Sequence, residues 1–286
     1  MLETELNSGL SAKPHFRSVV TFLDGDARFA ERLGTAIEIA RAEDAHLTVL
    51  TIRYDQSIPP YAYVDAVGAS MKEALESARE EAEARAVRAE DTISGAGIRG
   101  EVIRCVTPHL DIEREVASVA RLADLAIVAP PYGDDALGTA SAILDGVLYD
   151  SDTSALVIPD DVKSLEAGTV LVAWDGSRQA LKAVKGALPL LRRADKVEIC
   201  IFDAKRDVPG EALAAMLARY GVKVETAALP KPADSISAAI AQRAQHIGAG
   251  LVVMGAYGHS RFRESVIGGV TRETLHKVKM PLLLSH

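Results

Sequence analysis

Two stretches decide the fold: FRSVVTFLDGD (residues 16–26) and GTVLVAWDGS (residues 168–177), each an apolar run that ends in Asp-Gly. Asp24-Gly25 and Asp175-Gly176 match at an offset of 151 (24 to 175). An amphipathic helical pattern follows each, over residues 27–44 and 177–195. A second apolar run comes next, HLTVLTIRYD (46–55) or KVEICIFDAK (196–205). Further on, DLAIVAPP (124–131) pairs with GLVVMGAY (250–257) at an offset of 126 (124 to 250). The two offsets differ by 25, which places one insertion in the first half between its second and third strands. There MKEALESAREEAEARAVRAEDTIS (71–94) predicts a long, solvated helix, rich in strong helix formers with opposite charges three and four residues apart.

The chain is therefore a tandem repeat. Third strands are expected over 98–106 and 222–229, helices over 111–122 and 233–247, and last strands over 154–160 and 280–286. Strands alternating with helices of this length imply right-handed crossovers and a parallel sheet covered on both faces. The expected architecture is α/β: two doubly wound domains, each with a five-stranded parallel sheet, at 16–160 and 161–286, after a loose tail at 1–15. Such sheets take ligands at the carboxyl ends of their strands, beside the point where strand order reverses.

The 286 residues carry 32 Lys and Arg against 40 Asp and Glu, a net charge of −8, with 48% hydrophobic residues. That composition is globular rather than disordered. It lacks the basic footprint of a nucleic-acid partner. No apolar stretch approaches the ~18 residues of a spanning helix, and the acidic start does not read as a signal peptide. The expectation is a cytoplasmic protein without membrane or nucleic-acid partners. Cys105 and Cys200 stand in apolar runs and read as free, buried thiols. His246, His259, His276 and His286 lack the spacing of a zinc site.

The chemistry concentrates in VVMGAYGHSRFRESVIGGVTRETL (252–275), where Gly255 and Gly258 leave the fourth strand and Gly268-Gly269 open the last helix. Glycines permit close backbone approach, and a helix N-terminus adds partial positive charge, so this loop can aim several N–H groups at a phosphate. Asp175, at the end of the first strand of that half, is placed to accept from a ribose hydroxyl or a base amine, or else to cap the next helix, a role that Ser177 can fill instead.

The spacing Gly-x2-Gly-x9-Gly after VVMG, joined to a first strand ending in DGS, resembles the ATP-binding signature of the universal stress protein family, and the resemblance covers both halves as in its tandem members. It implies a flavodoxin-like, Rossmann-like fold in each half and adenine-nucleotide binding rather than dedicated catalysis. On this resemblance Ala173, Trp174 and Asp175 line adenine and ribose, with Ile201 beneath the base. Met254, Gly255, Gly258, Gly268, Gly269, Val270 and Thr271 wrap ribose and phosphates. Gly269 departs from the family's Ser or Thr, a missing hydroxyl contact of about 1 kcal/mol. Thr271 partly compensates, while Arg261, Arg263 and His259 read as bystanders in the loop. Any Mg²⁺ is expected to come with the nucleotide's phosphates.

In the first half every cradle glycine is replaced: Gly255 maps to Ala129, Gly258 to Tyr132, Gly268 to Ala142 and Gly269 to Ile143. Asp134 and Asp135 would repel phosphates there. Only the second half is expected to bind ATP, with Asp24-Gly25 serving the fold. A Gly-x-Gly-x-x-Gly match at Gly95, Gly97 and Gly100 follows a helix and precedes a strand, the reverse of a dinucleotide turn. The reading is an ATP-binding stress-response regulator, working as a homodimer or an intramolecular pseudo-dimer. A slow ATPase or autophosphorylating enzyme with Glu264 as base, and an adaptor that binds no nucleotide, are the alternatives.

Overall fold

The computed structural model describes residues 15–25, 29–54, 69–132, 138–159, 162, 164–165, 168–202, 210–230, 232, 234–256, 269–277 and 279–286. In the first half the elements run β1 (Ser18–Leu23), α1 (Phe29–Glu43), β2 (His46–Tyr54), α2 (Ala69–Ala96), β3 (Gly100–Thr107), α3 (Ile112–Ala120), β4 (Leu125–Val128), α4 (Gly138–Asp145) and β5 (Ser154–Val157). The second half repeats them as β6 (Thr169–Ala173), α5 (Arg178–Gly186), α6 (Leu188–Arg193), β7 (Lys196–Phe202), α7 (Gly210–Arg219), β8 (Val224–Leu229), α8 (Ile236–His246), β9 (Leu251–Gly255), α9 (Gly269–Lys277) and β10 (Leu282–Ser285). The insertion is the length of α2, 28 residues against 10 in α7. Among the described residues no helix is long and apolar enough to cross a membrane.

Within each half all strand pairs are parallel, as the repeat predicts. The two five-stranded sheets are not separate, however. They fuse into one ten-stranded sheet in the order β3-β2-β1-β4-β5-β10-β9-β6-β7-β8, and the junction is antiparallel, with Leu282 opposite Val157, Leu283 opposite Leu156 and Leu284 opposite Ala155. The physical reason lies in the two short end strands, SALV and LLLS, which are buried at every residue. An apolar edge strand left open would pair with another chain, and joining the two removes both edges. The edges that remain, β3 and β8, carry Glu and Arg and are largely exposed or half-buried. At the junction the Ser154 and Ser285 hydroxyls share a 2.8 Å hydrogen bond. Gly186 of α5 lies directly over it, where any β-carbon would displace Ser154 Oγ.

Two layers of core cover the sheet: α1, α2, α5, α6 and α7 on one face, α3, α4, α8 and α9 on the other. The single helix expected over 177–195 is two helices, broken at Ala187, because Pro189 in the first turn of α6 has no N–H to continue the ladder. Cys200 is buried, but Cys105 is only half-buried, since β3 is an edge. The halves also meet through Glu43 of α1, whose side chain is 5% exposed, which receives Phe16 N–H and pairs with Arg193 of α6 at 2.5 Å.

A π-helical turn, Gly146–Ser151, follows α4 and was not foreseen from the sequence. Gly146 there lies so close to α3 that a β-carbon would stand 2.6 Å from the Glu113 carbonyl oxygen. This approach traps Asp145: burial, and then the Glu113 charge, push its carboxyl up to about 6. A carboxyl raised on folding favours the protonated state. Its contribution is complete below the unfolded value near 3.8 and is lost as pH rises through 6. Asp145→Asn should therefore raise the thermal midpoint at pH 8 while leaving it nearly unchanged at pH 4. Equal shifts at both pH values would rule out this titration.

Candidate functional site

The second half brings most of the predicted residues to one row at the carboxyl edge of its sheet. Ala173 at the end of β6 stands opposite Cys200 of β7 on one side and Met254 of β9 on the other. Trp174, Asp175, Ile201 and Gly255 follow within one or two residues of that row. Strand order reverses here, because β6 has its successor β7 on one side and β9 on the other. The residues divide between the two faces: Trp174 and Ile201 belong to the core layer under α5 and α7, whereas Ala173 and Met254 belong to the layer under α8 and α9.

Each position has a local cause. Asp175 is exposed, and its Oδ1 accepts the Ser177 N–H at 2.9 Å, which folds the loop back over Gly176 at φ +76°. Ser177, not Asp175, is the N-cap of α5, its Oγ accepting Ala180 N–H at 3.1 Å. The outer carboxylate oxygen of Asp175 remains turned to solvent chemistry. Trp174 is buried, yet among the described residues its indole Nε1 has no hydrogen-bond partner. A buried indole donor without an acceptor costs about 1–3 kcal/mol.

Gly255 has a packing reason of its own. A β-carbon on it would stand 2.5 Å from Ala180 N and 2.9 Å from the Gln179 carbonyl carbon. The residue is glycine because the first turn of α5 presses on the end of β9, whatever else approaches it. Gly269 is the opposite case, exposed at the start of α9 with open space around it. Val270 is exposed and Thr271 is buried, and Thr274 Oγ1 is spent on the Val270 carbonyl at 2.7 Å. Glu273 takes the Ser237 hydroxyl and lies 3.5 Å from Lys277, which ties α9 to α8. Gly258, Gly268, His259, Arg261, Arg263 and Glu264 lie outside the described residues, as do Asp134 and Asp135. Among the described residues no three His, Cys, Asp or Glu side chains converge as metal ligands.

The first half is built shut at the corresponding edge. Helix α4 begins at Gly138 rather than at Ile143, the position aligned with Gly269, and the added turn places Thr139 Oγ1 2.8 Å from Asp24 Oδ2 with both residues buried. Tyr132, aligned with Gly258, stacks on His276 of α9 at 4.5 Å, and the Arg272 guanidinium lies 5.6 Å from the same ring. The residue that replaced a cradle glycine thus touches the helix of the other half's site. Sequence reasoning did not find this contact; the Gly-to-Tyr mismatch in the repeat alignment was its only trace.

Comparison with known proteins follows this geometry. No model of a known protein family matches the chain. A universal stress protein of Synechocystis is 28% identical over 154 residues, and the match spans 52% of this chain and 52% of that relative, about half the length of each. The solved structure of a universal stress protein from Archaeoglobus fulgidus superposes with TM-score 0.71 at 18% identity, covering 94% of this chain and 95% of that one. By fold the chain is similar to that solved universal stress protein, and by sequence, over about half its length, to the Synechocystis relative. A putative universal stress protein from Pseudomonas aeruginosa gives TM-score 0.54 at 16% identity, with 96% and 95% covered. Both solved proteins match along nearly their whole length, so the likeness of fold extends over nearly the full chain.

Proposed function

We propose that the second half binds ATP at the carboxyl edge of β6, β7 and β9 and that the chain acts in the cytoplasm as a nucleotide-responsive stress regulator. The observation that carries this reading is the register row that gathers Ala173, Trp174, Asp175, Ile201 and Met254 at the strand-order reversal, with the glycine-spaced loop leaving the same row. The orphan indole N–H of Trp174 and the open oxygen of Asp175 suit a base and a ribose. The α9 N-terminus and the glycine loop suit phosphates, with Mg²⁺ carried in on them. The first half, whose Asp24 is committed to Thr139, serves as scaffold and as the surface that meets α9.

The test is to heat-denature freshly purified protein, chromatograph the supernatant for adenine nucleotides, and titrate emptied protein with Mg-ATP. One nucleotide per chain is expected. Asp175→Ala should weaken ATP binding by about tenfold, the loss of one hydrogen bond to a charged acceptor. Asp24→Ala should leave affinity unchanged while lowering the thermal midpoint, since Thr139 loses a buried partner. Absence of both carried and titratable nucleotide defeats the reading. Phosphate release at one turnover per minute or faster, abolished by Gly268→Asp, would move it toward an ATPase.

A further inference from the structure

Tyr132, which stands in the first half where the second half has Gly258, reaches across the junction to α9. It follows the end of β4, half-buried, and packs against the same apolar layer as Leu275 of α9. Arg272 and His276 are four residues apart and so share one flank of that helix. Tyr132 meets both. Its ring lies nearly parallel to the His276 imidazole, with centroids 4.5 Å apart and planes inclined by 17°, and the Arg272 guanidinium carbon is 5.6 Å from the ring centre. Burial first, and then the Asp145 charge, push the phenol above its ordinary value against the opposing charge of Arg272. The ring therefore meets both side chains as a neutral aromatic and not as a phenolate.

Helix α9 has nine residues, fewer than the roughly 12 that an isolated helix needs to hold itself in water. Its place is therefore set by tertiary contacts, and the described ones fall on three sides. Thr271, Thr274 and Leu275 are buried. Glu273 accepts the Ser237 hydroxyl and Lys277 Nζ lies 3.3 Å from Ser235 Oγ, both at the start of α8. Tyr132 of the first half supplies the third side. The stacked His276 lies seven residues after Gly269 (269 to 276), about 10 Å along the axis from where α9 opens. Hydrogen bonds weaken steeply as their direction changes, so a contact that sets the tilt of so short a helix also sets the aim of its first N–H groups.

We propose that Tyr132 is a positioning residue for the phosphate end of the nucleotide site, holding α9 in place through His276 and Arg272; the inference rests on the ATP reading above. The substitution that removes a cradle glycine from the first half thus supports the cradle of the second. Base and ribose belong to the ends of β6 and β7, so the effect of Tyr132 falls on the phosphates.

The test measures Mg-ATP and adenosine binding to the full chain by calorimetry, for the parent, Tyr132→Phe, Tyr132→Leu, His276→Leu and the double leucine variant. Each single leucine variant should weaken Mg-ATP by about fivefold, the size of one aromatic stack, and leave adenosine within about twofold of the parent. Tyr132→Phe keeps the ring and should bind both ligands as the parent does. The double variant should bind no more weakly than the weaker single, because both replacements remove one shared contact. In nucleotide-free protein, hydrogen exchange of the α9 amides should quicken by a similar factor in the leucine variants, with β6 and β7 unchanged. The inference alone is overturned if the parent binds both ligands and the leucine variants keep the parental ratio of ATP to adenosine affinity, whether the two affinities fall together or not at all. A parent that binds neither ligand defeats the ATP reading, and this inference with it.

Discussion

Arg243→Ala is expected to cost about 3 kcal/mol of unfolding free energy, the low end for one partner removed from a buried pair. Glu198 of β7 is 5% exposed and lies on the inner surface of the sheet, where Arg243 of α8 meets it with two bonds, Nε at 2.7 Å and Nη2 at 2.8 Å. The Cys200 thiol adds a third donor at 3.1 Å to the carboxylate. With the guanidinium gone, the carboxylate keeps only a thiol in an apolar layer. The Arg243 bonds hold the Glu198 carboxyl below its ordinary value against the opposing effect of burial. In the parent this group therefore stabilises the fold above its unfolded value, near 4.5, and its contribution is lost as pH falls through the lower folded value. In Arg243→Ala burial is opposed only by the Cys200 hydrogen bond and the Lys196 charge, so the carboxyl shifts upward and stability relative to the parent should recover as pH falls. Urea denaturation at pH 5 and pH 8 reads both effects. The double replacement Arg243→Leu with Glu198→Leu should recover much of the loss, as buried pairs exchanged for apolar contacts commonly do. A single variant within 1 kcal/mol of the parent, with its pH slope unchanged, would show that the pair contributes nothing.

Gly255→Ala and Gly269→Ala form the second large contrast, between two glycines of one motif that the structure treats oppositely. At Gly255 the new β-carbon would stand 2.5 Å from Ala180 N, and both neighbours are backbone, so α5 must retreat from β9. Overpacking of this kind costs about 1–3 kcal/mol. It also moves the loop that carries Asp175, so ATP affinity should fall by about tenfold or more together with stability. At Gly269 nothing among the described residues lies within 4 Å, and alanine should stabilise α9 by about 0.5 kcal/mol. Gly269→Ser goes further: it supplies the hydroxyl that the resemblance leaves missing and should tighten ATP by about 1 kcal/mol, roughly fivefold. Gly255→Ala with full stability and full affinity would remove Gly255 from both roles. Gly269→Ser without tighter binding would remove the α9 N-terminus from the phosphate site.

Much of this was legible in the chain because repetition is a sequence property. Two Asp-Gly strand ends 151 residues apart fixed the parallel order of each half, and the shorter offset further on located the insertion that became α2. Asp175 could be read because strand ends of a doubly wound sheet fall together by topology, whereas Ala173 and Met254 of the same row were implied only by the family resemblance. The break at Ala187 was also present in the sequence, as Pro189, and was passed over in favour of the helical periodicity around it. The π-helical turn left no such trace, since it answers to the close approach of α3 at Gly146.

What the sequence by itself determined is whatever depends on local period and on repetition: two doubly wound halves of parallel strands, the glycine-spaced loop in one and its loss in the other. What only the tertiary structure decided is whatever depends on which surfaces meet. Hydrophobic burial fixes that an end strand must be covered, but not by what, and here β5 and β10 cover each other to make one sheet. The same holds for side chains. Glycine at 255 answers to helix backbone and Tyr132 to His276 of the other half, because each partner lies far along the chain and is chosen by packing.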